Sequence, residues 1–241
     1  SIEGPEFTMA PASGEMLDKQ LREFNAECDW NVDDSCGLHV HVDCRDLDKL
    51  QLRNVIIAYA AAENALYGMA DDRRQKCGMC HKMVECSSFR DLAIALYEAG
   101  DDLRKVRKLL NGFLYEYFEE DEYDALRAKK YHGNEYRYSG LNIHSYYLRG
   151  TLEFRLMGGL SRRNYMVAWA TLLARLVEYA SSSRLEDMVL KWTTLEEWFD
   201  VIGLEEQWRT ILREMSHGDG RSTNLFSSRE TEARKCERER D

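Results

Sequence analysis

The spacing of apolar and polar positions divides the chain into stretches of two periods. Residues 15–28 place Met16, Leu17, Leu21 and Phe24 at helical spacing behind Ser13, a suitable N-cap, and predict a surface helix. Cys36-Gly-Leu-His-Val-His-Val-Asp43 switches to period two and is rich in Val, which predicts a strand entered through a glycine. Over 46–69 the helical period returns. Leu50, Leu52, Val55, Ile56, Tyr59, Ala60 and the stretch 62–66 make an apolar face wide enough to predict a buried helix. A break with Cys and Gly covers 71–88, and 89–99 and 101–119 predict two helices parted at Gly100. The polar and aromatic stretch 131–140 reads as a loop. Residues 148–157 predict a strand closing on Gly158 and Gly159. The clearest amphipathic helix covers 161–182 through Met166, Trp169, Leu172, Leu173, Leu176 and Tyr179, and 195–215 predicts one or two more.

The two ends read differently. Pro5 and Pro11 bracket Glu6-Phe7-Thr8-Met9, a short strand between turns, while from Gly218 onward Ser, Thr, Glu and Arg mix without an apolar period. With no internal repeat and no interior linker, the expectation is one α+β domain over 1–217 followed by a charged, disordered tail over 218–241.

Composition narrows the function classes. The 241 residues are 44% hydrophobic, enough for one sizeable core. Lys and Arg number 33 against 43 Asp and Glu, a net charge of −10, which opposes bulk attraction to nucleic acid or to an anionic membrane. A polyanion such as ATP must therefore be held by a few local cations or metals. The longest apolar run, 55–62, falls short of the roughly 18 residues a spanning helix needs. Seven cysteines, an odd number in a chain that needs no staples, point to reduced thiols and a cytoplasmic protein.

On the strand, His39 and His41 lie two apart and share a face, while Leu38, Val40 and Val42 share the other. Two such imidazoles suit a metal or phosphate oxygens, or they are ordinary polar residues of an exposed face. Glu153 and Arg155 repeat the arrangement in Arg149-Gly-Thr-Leu-Glu-Phe-Arg-Leu-Met-Gly-Gly159. They are either a simple i,i+2 ion pair, or a carboxylate for a hard cation beside a planar fork for a phosphoryl or carboxylate group. Cys77-Gly-Met-Cys80-His81 has the form of a haem attachment and, with Cys86, offers zinc three thiolates and an imidazole, but unligated thiols near a helix end are the simpler reading. Asp71-Asp72-Arg73-Arg74 reads as a charge cluster, with Arg74 in solvent.

The order of these pieces resembles one family. Glu6 before Pro11, Gly-Leu-His-Val-His-Val, Arg73-Arg74 past a long helix, Arg137-Tyr138-Ser-Gly-Leu-Asn142, and Gly-Thr-Leu-Glu-Phe-Arg before another long helix are similar to the amidoligase family. These are carboxylate-amine ligases related to glutamine synthetase and glutamate-cysteine ligase. The resemblance implies a glutamine-synthetase-like catalytic domain, with a curved antiparallel sheet and helices packed on one face. Its function would be ATP-dependent amide or peptide bond formation through an acyl phosphate, with ATP and Mg²⁺ as cofactors. It further implies Glu6, Glu153 and His39 at the metal, and His39, His41, Arg73, Arg137 and Asn142 against nucleotide phosphates or substrate carboxylate. Glu153 and Arg155 would be catalytic, Arg155 stabilising the phosphoryl group in transfer. The family's opening Gly-x-Glu-x-Glu strand has no counterpart before Glu6, which leaves three readings: the domain lacks its first strand, it binds fewer metals, or the match at Glu6 is misplaced. Two other readings stay open, a metal-dependent hydrolase or oxygenase built on His-x-His and a degenerate ligase-like binding module. The partners expected are small-molecule or peptide carboxylates and amines, without nucleic acid or membrane.

Overall fold

A helix that is apolar on every side is stable only when other elements surround it, and Lys49–Met69 is built that way. In the computed structural model, which describes residues 8–27, 32, 33, 35–70, 74, 80–115, 138–218 and 220–226, this helix lies at the centre of the core. The helices are α1 (Gly14–Glu27), α2 (Lys49–Met69), α3 (Ser87–Glu98), α4 (Leu103–Tyr115), α5 (His144–Arg149), α6 (Arg163–Ser182), α7 (Leu195–Val201) and α8 (Glu206–Met215); the strands are β1 (Gly37–Asp43), β2 (Leu141–Asn142) and β3 (Thr151–Gly158). None of these helices is long and apolar enough to cross a membrane.

A capping box starts α2. The Asp48 carboxylate accepts from the Leu50 and Gln51 amides, and the Gln51 side chain accepts from the Asp48 amide. Its buried polar residues each have partners. Asn54 donates to the Ser183 carbonyl at 2.8 Å, the Arg53 guanidinium meets Asp101, and Glu63 accepts from the Met83 and Val84 amides at 2.6 and 2.8 Å. Helices α3 and α6 pack against α2, α8 packs on α6, and α1 joins α6 through Leu21, Met166 and Val167.

The fold is α+β. Its sheet has three antiparallel strands in the order β1-β3-β2 and is open. Leu152, Phe154 and Leu156 of β3 face the core, where Phe154 meets the Tyr59 ring of α2 at a centroid distance of 5.9 Å. The pairing is irregular at one place. Leu38 lies opposite Met157 but Val40 lies opposite Phe154, so Arg155 and Leu156 together face His39 across a bulge.

Two expectations need correction here. Leu148 and Arg149 are not the start of the strand; they end α5, and Gly150 turns the chain into β3 with a φ of 73°, a left-handed conformation that glycine adopts without strain. Residues 218 and 220–226, expected in a disordered tail, are packed instead. The His217 and Gly218 amides bond the Gly68 carbonyl, Thr223 bonds the Ala60 and Ala61 carbonyls through Oγ1 and its amide at 2.7 and 2.8 Å, and Phe226 is buried against Tyr97. Residues 216–218 and 220–226 thus run along α2 as a strap. Isolated contacts carry it, which explains why no apolar period announces it. Residues 227–241 lie outside the described residues, as does the segment 1–7 with Glu6 and Phe7 of the expected short strand, while Thr8 and Met9 lie in no strand.

Candidate functional site

Because β3 is the middle strand, a side chain on its polar face has neighbours on both sides. Glu153 sits opposite His41 of β1 and Asn142 of β2, and is only 6% exposed. Its Oε1 accepts from Arg155 Nη1 at 2.6 Å and lies 3.3 Å from His39 Nδ1 and 3.9 Å from His41 Nε2. Its Oε2 accepts from Asn142 Nδ2 at 2.7 Å, and the Asn142 carbonyl oxygen in turn accepts from the His144 amide. Burial pushes the Glu153 carboxyl up, but the Arg155 charge, the Asn142 hydrogen bond and the two imidazoles outweigh it and hold the pKa below its ordinary value. Period two thus brings together five residues expected from the sequence: His39, His41, Asn142, Glu153 and Arg155.

Arg74 is a sixth residue and corrects the sequence reading. Instead of lying in solvent it is 8% exposed, and its Nη2 donates to the Arg155 carbonyl at 2.9 Å. That carbonyl lies just past the end of the two-residue β2, where the Gly140 carbonyl still accepts from the Arg155 amide. A Cβ on Gly37 would come within 2.7 Å of Arg74 Nη2 and 3.4 Å of His39 Nε2, so a missing side chain admits the guanidinium beside the imidazole. Among the described residues no carboxylate pairs with Arg74, and the Nε atoms of Arg74 and Arg155 are both buried without a hydrogen-bond partner. Two largely buried guanidiniums thus lie side by side with only one of them, Arg155, paired to a described carboxylate, an arrangement suited to an anionic group.

Two hydroxyls also escaped the sequence reading. Thr151 Oγ1 lies 2.9 Å from His41 Nδ1 and 2.9 Å from Ser145 Oγ. The strand period that pairs Glu153 with Arg155 also places Thr151 on their face, so that one was within reach.

Glu6, Arg73 and Arg137 lie outside the described residues, as does Cys77. Cys36, Cys44, Cys80 and Cys86 form no disulfide with one another, and Cys80 Sγ donates to the Arg74 carbonyl. Among the described residues no group of three or more His, Cys, Asp or Glu side chains can hold a metal ion; Cys80, His81 and Cys86 of the zinc alternative form no such group, and its fourth member, Cys77, is not among the described residues. The magnesium implied by the resemblance finds one described carboxylate here, Glu153, with a guanidinium already on one oxygen and an amide on the other. These donors alone do not fit a magnesium ion, which takes free oxygens in octahedral array.

Comparison with known proteins returns one relationship. No curated protein and no solved structure matches the chain. A family model described as "putative amidoligase enzyme" does match, over residues 13–177, a span that holds every described residue of the site, and the chain belongs to that family.

Proposed function

We propose that the chain is an ATP-dependent carboxylate-amine ligase that forms an amide or peptide bond through an acyl phosphate. Its substrates would be small-molecule or peptide carboxylates and amines of the cytoplasm. The observation that supports this most is the convergence of Arg155, His39 and His41 on the Glu153 carboxylate, with Arg74 held beside them on the Arg155 carbonyl.

The chemistry explains why. A substrate carboxylate oxygen attacks the terminal phosphorus of ATP, forming an O–P bond as the bond to the ADP oxygen breaks. The amine then attacks the acyl carbon, a C–N bond forms, phosphate leaves, and the amine proton is lost. The first step brings two anions together, and the site must offset their repulsion without supplying a nucleophile of its own. Arg155 and Arg74 supply positive charge on the face where the phosphoryl group would pass, and the two imidazoles supply N–H donors. Glu153, fixed by Asn142, holds Arg155 in orientation. Arg73 and Arg137 are the further cations that the resemblance offers. Magnesium would enter with the nucleotide phosphates and Glu6, and no step above depends on it.

The test is ADP release coupled to an optical readout, screened over pairs of amino acids, small amines and peptides, with thermal melts in ATP with and without magnesium. Release with at least one pair, lost in Arg155→Lys with the fold intact, is the expected result. Melts unmoved by ATP, together with no release for any pair, overturn the proposal and leave the binding module.

A further inference from the structure

The two histidines meet Glu153 through different nitrogens, His39 through Nδ1 and His41 through Nε2. For His41 the other nitrogen, Nδ1, faces Thr151 Oγ1 at 2.9 Å and Ser145 Oγ at 3.4 Å, and these two hydroxyls are 2.9 Å apart. Ser145 is 4% exposed, in the second position of α5, and Thr151 begins β3, so the pair is fixed to two elements joined by the Gly150 turn.

A neutral imidazole carries its proton on one nitrogen, and the partner of the other nitrogen decides which. A carboxylate accepts only, so Glu153 favours the proton on Nε2; Nδ1 must then accept, and needs a donor. A backbone carbonyl there would demand the opposite form. A hydroxyl can donate, and a second hydroxyl behind it accepts or donates in turn, so the Ser145–Thr151 pair suits an accepting Nδ1.

We propose that Thr151 and Ser145 are positioning residues for His41, holding its Nδ1 as an acceptor so that Nε2 presents an N–H to the anion beside Glu153. His39 turns Nδ1 toward Glu153 where His41 turns Nε2, so the two imidazoles are held in opposite senses and are not interchangeable. The orientation stands on geometry alone, while the anion rests on the ligase reading above.

The experiment separates the two. Long-range ¹H–¹⁵N spectra of the imidazoles, with His41 assigned through His41→Gln, report the proton position in the free protein at pH 8, where no ligand or turnover enters. The wild type is expected to show the Nε2–H form. Thr151→Val, close in shape, is expected to mix the two forms, and Thr151→Ser to restore the wild-type spectrum. Binding of ADP by calorimetry is expected to weaken on the order of fivefold to tenfold in Thr151→Val and to recover in Thr151→Ser. An Nδ1–H form in the wild type overturns the proposal without any variant. An unchanged spectrum in both Thr151→Val and Ser145→Ala overturns it as well. If ADP fails to bind the wild type, the ligase reading suffers, and the spectra still decide the role of the hydroxyls.

Discussion

Glu63 offers the sharpest test of the core. It is fully buried in α2, with its two carboxylate oxygens on the Met83 and Val84 amides. Burial raises its pKa from 4.5 to about 7, against the opposing pull of those two amides, the Tyr59 hydroxyl and the Lys82 ammonium. A folded-state value above the unfolded one means that the native protein holds a proton the unfolded chain gives up. The associated stability is complete below pH 4.5 and is lost as the pH rises through about 7. At ~1.4 kcal/mol per pKa unit, that span amounts to roughly 3 kcal/mol. Tyr59 and Tyr67, the phenols beside it, are pushed upward by burial and stay neutral throughout. Glu63→Gln removes the titration while keeping one oxygen to accept; one of the two amides then loses its acceptor, a penalty of about 1–3 kcal/mol that does not vary with pH. Urea denaturation of both proteins at pH 5, 6, 7 and 8 is the assay. The stability difference between them should move by roughly 3 kcal/mol in favour of the variant between pH 5 and 8, because other titrating groups cancel. Parallel curves would refute the reasoning, and a shift of the opposite sign would mean that the amides outweigh burial.

Three other outcomes are expected. Gly37→Ala puts a methyl within 2.7 Å of Arg74 Nη2 and displaces the guanidinium, so calorimetric ATP binding should weaken by about tenfold while circular dichroism stays unchanged. Asn142→Asp sets a second carboxylate against Glu153 Oε2, where Asn142 now donates at 2.7 Å; one of the two must hold a proton, and the variant should lose more stability than the wild type as pH rises through neutrality. Phe226→Ala should cost about 3 kcal/mol and Thr223→Val about 1 kcal/mol in denaturant melts, and a loss below ~0.5 kcal/mol in both would mean that the strap adds nothing to the core.

Strand periodicity carried most of the site in the sequence. His39, His41, Glu153 and Arg155 were legible as same-face pairs because two residues per repeat is a local rule, and the pairing of β1 with β3 needed only to bring the two faces into one plane. The long helices α2 and α6 were legible for the same reason. Arg74 was not, since what buries it is a carbonyl 81 positions away at the end of a two-residue strand. Helix α5 was missed because His-Ser-Tyr-Tyr-Leu-Arg is too short for a helical period and its tyrosines suit a strand equally; Gly150 was the one local signal of a boundary. Residues 220–226 were read as a tail because Thr223 contributes through its hydroxyl and amide rather than through apolar area.

The strap also sets an order of events during synthesis. Helix α2 is complete once Met69 has been made, yet its Ala60 and Ala61 carbonyls receive their last partners from Thr223. A ribosome adding about 5–20 residues per second needs on the order of ten to thirty seconds to cover that interval. For that time the most apolar of the described helices lacks the strap, and until Ser182 has been made it lacks α6 as well. The nascent protein therefore passes through a stage with its future centre only partly covered, and premature termination before residue 220 leaves the Ala60 and Ala61 carbonyls without their strap.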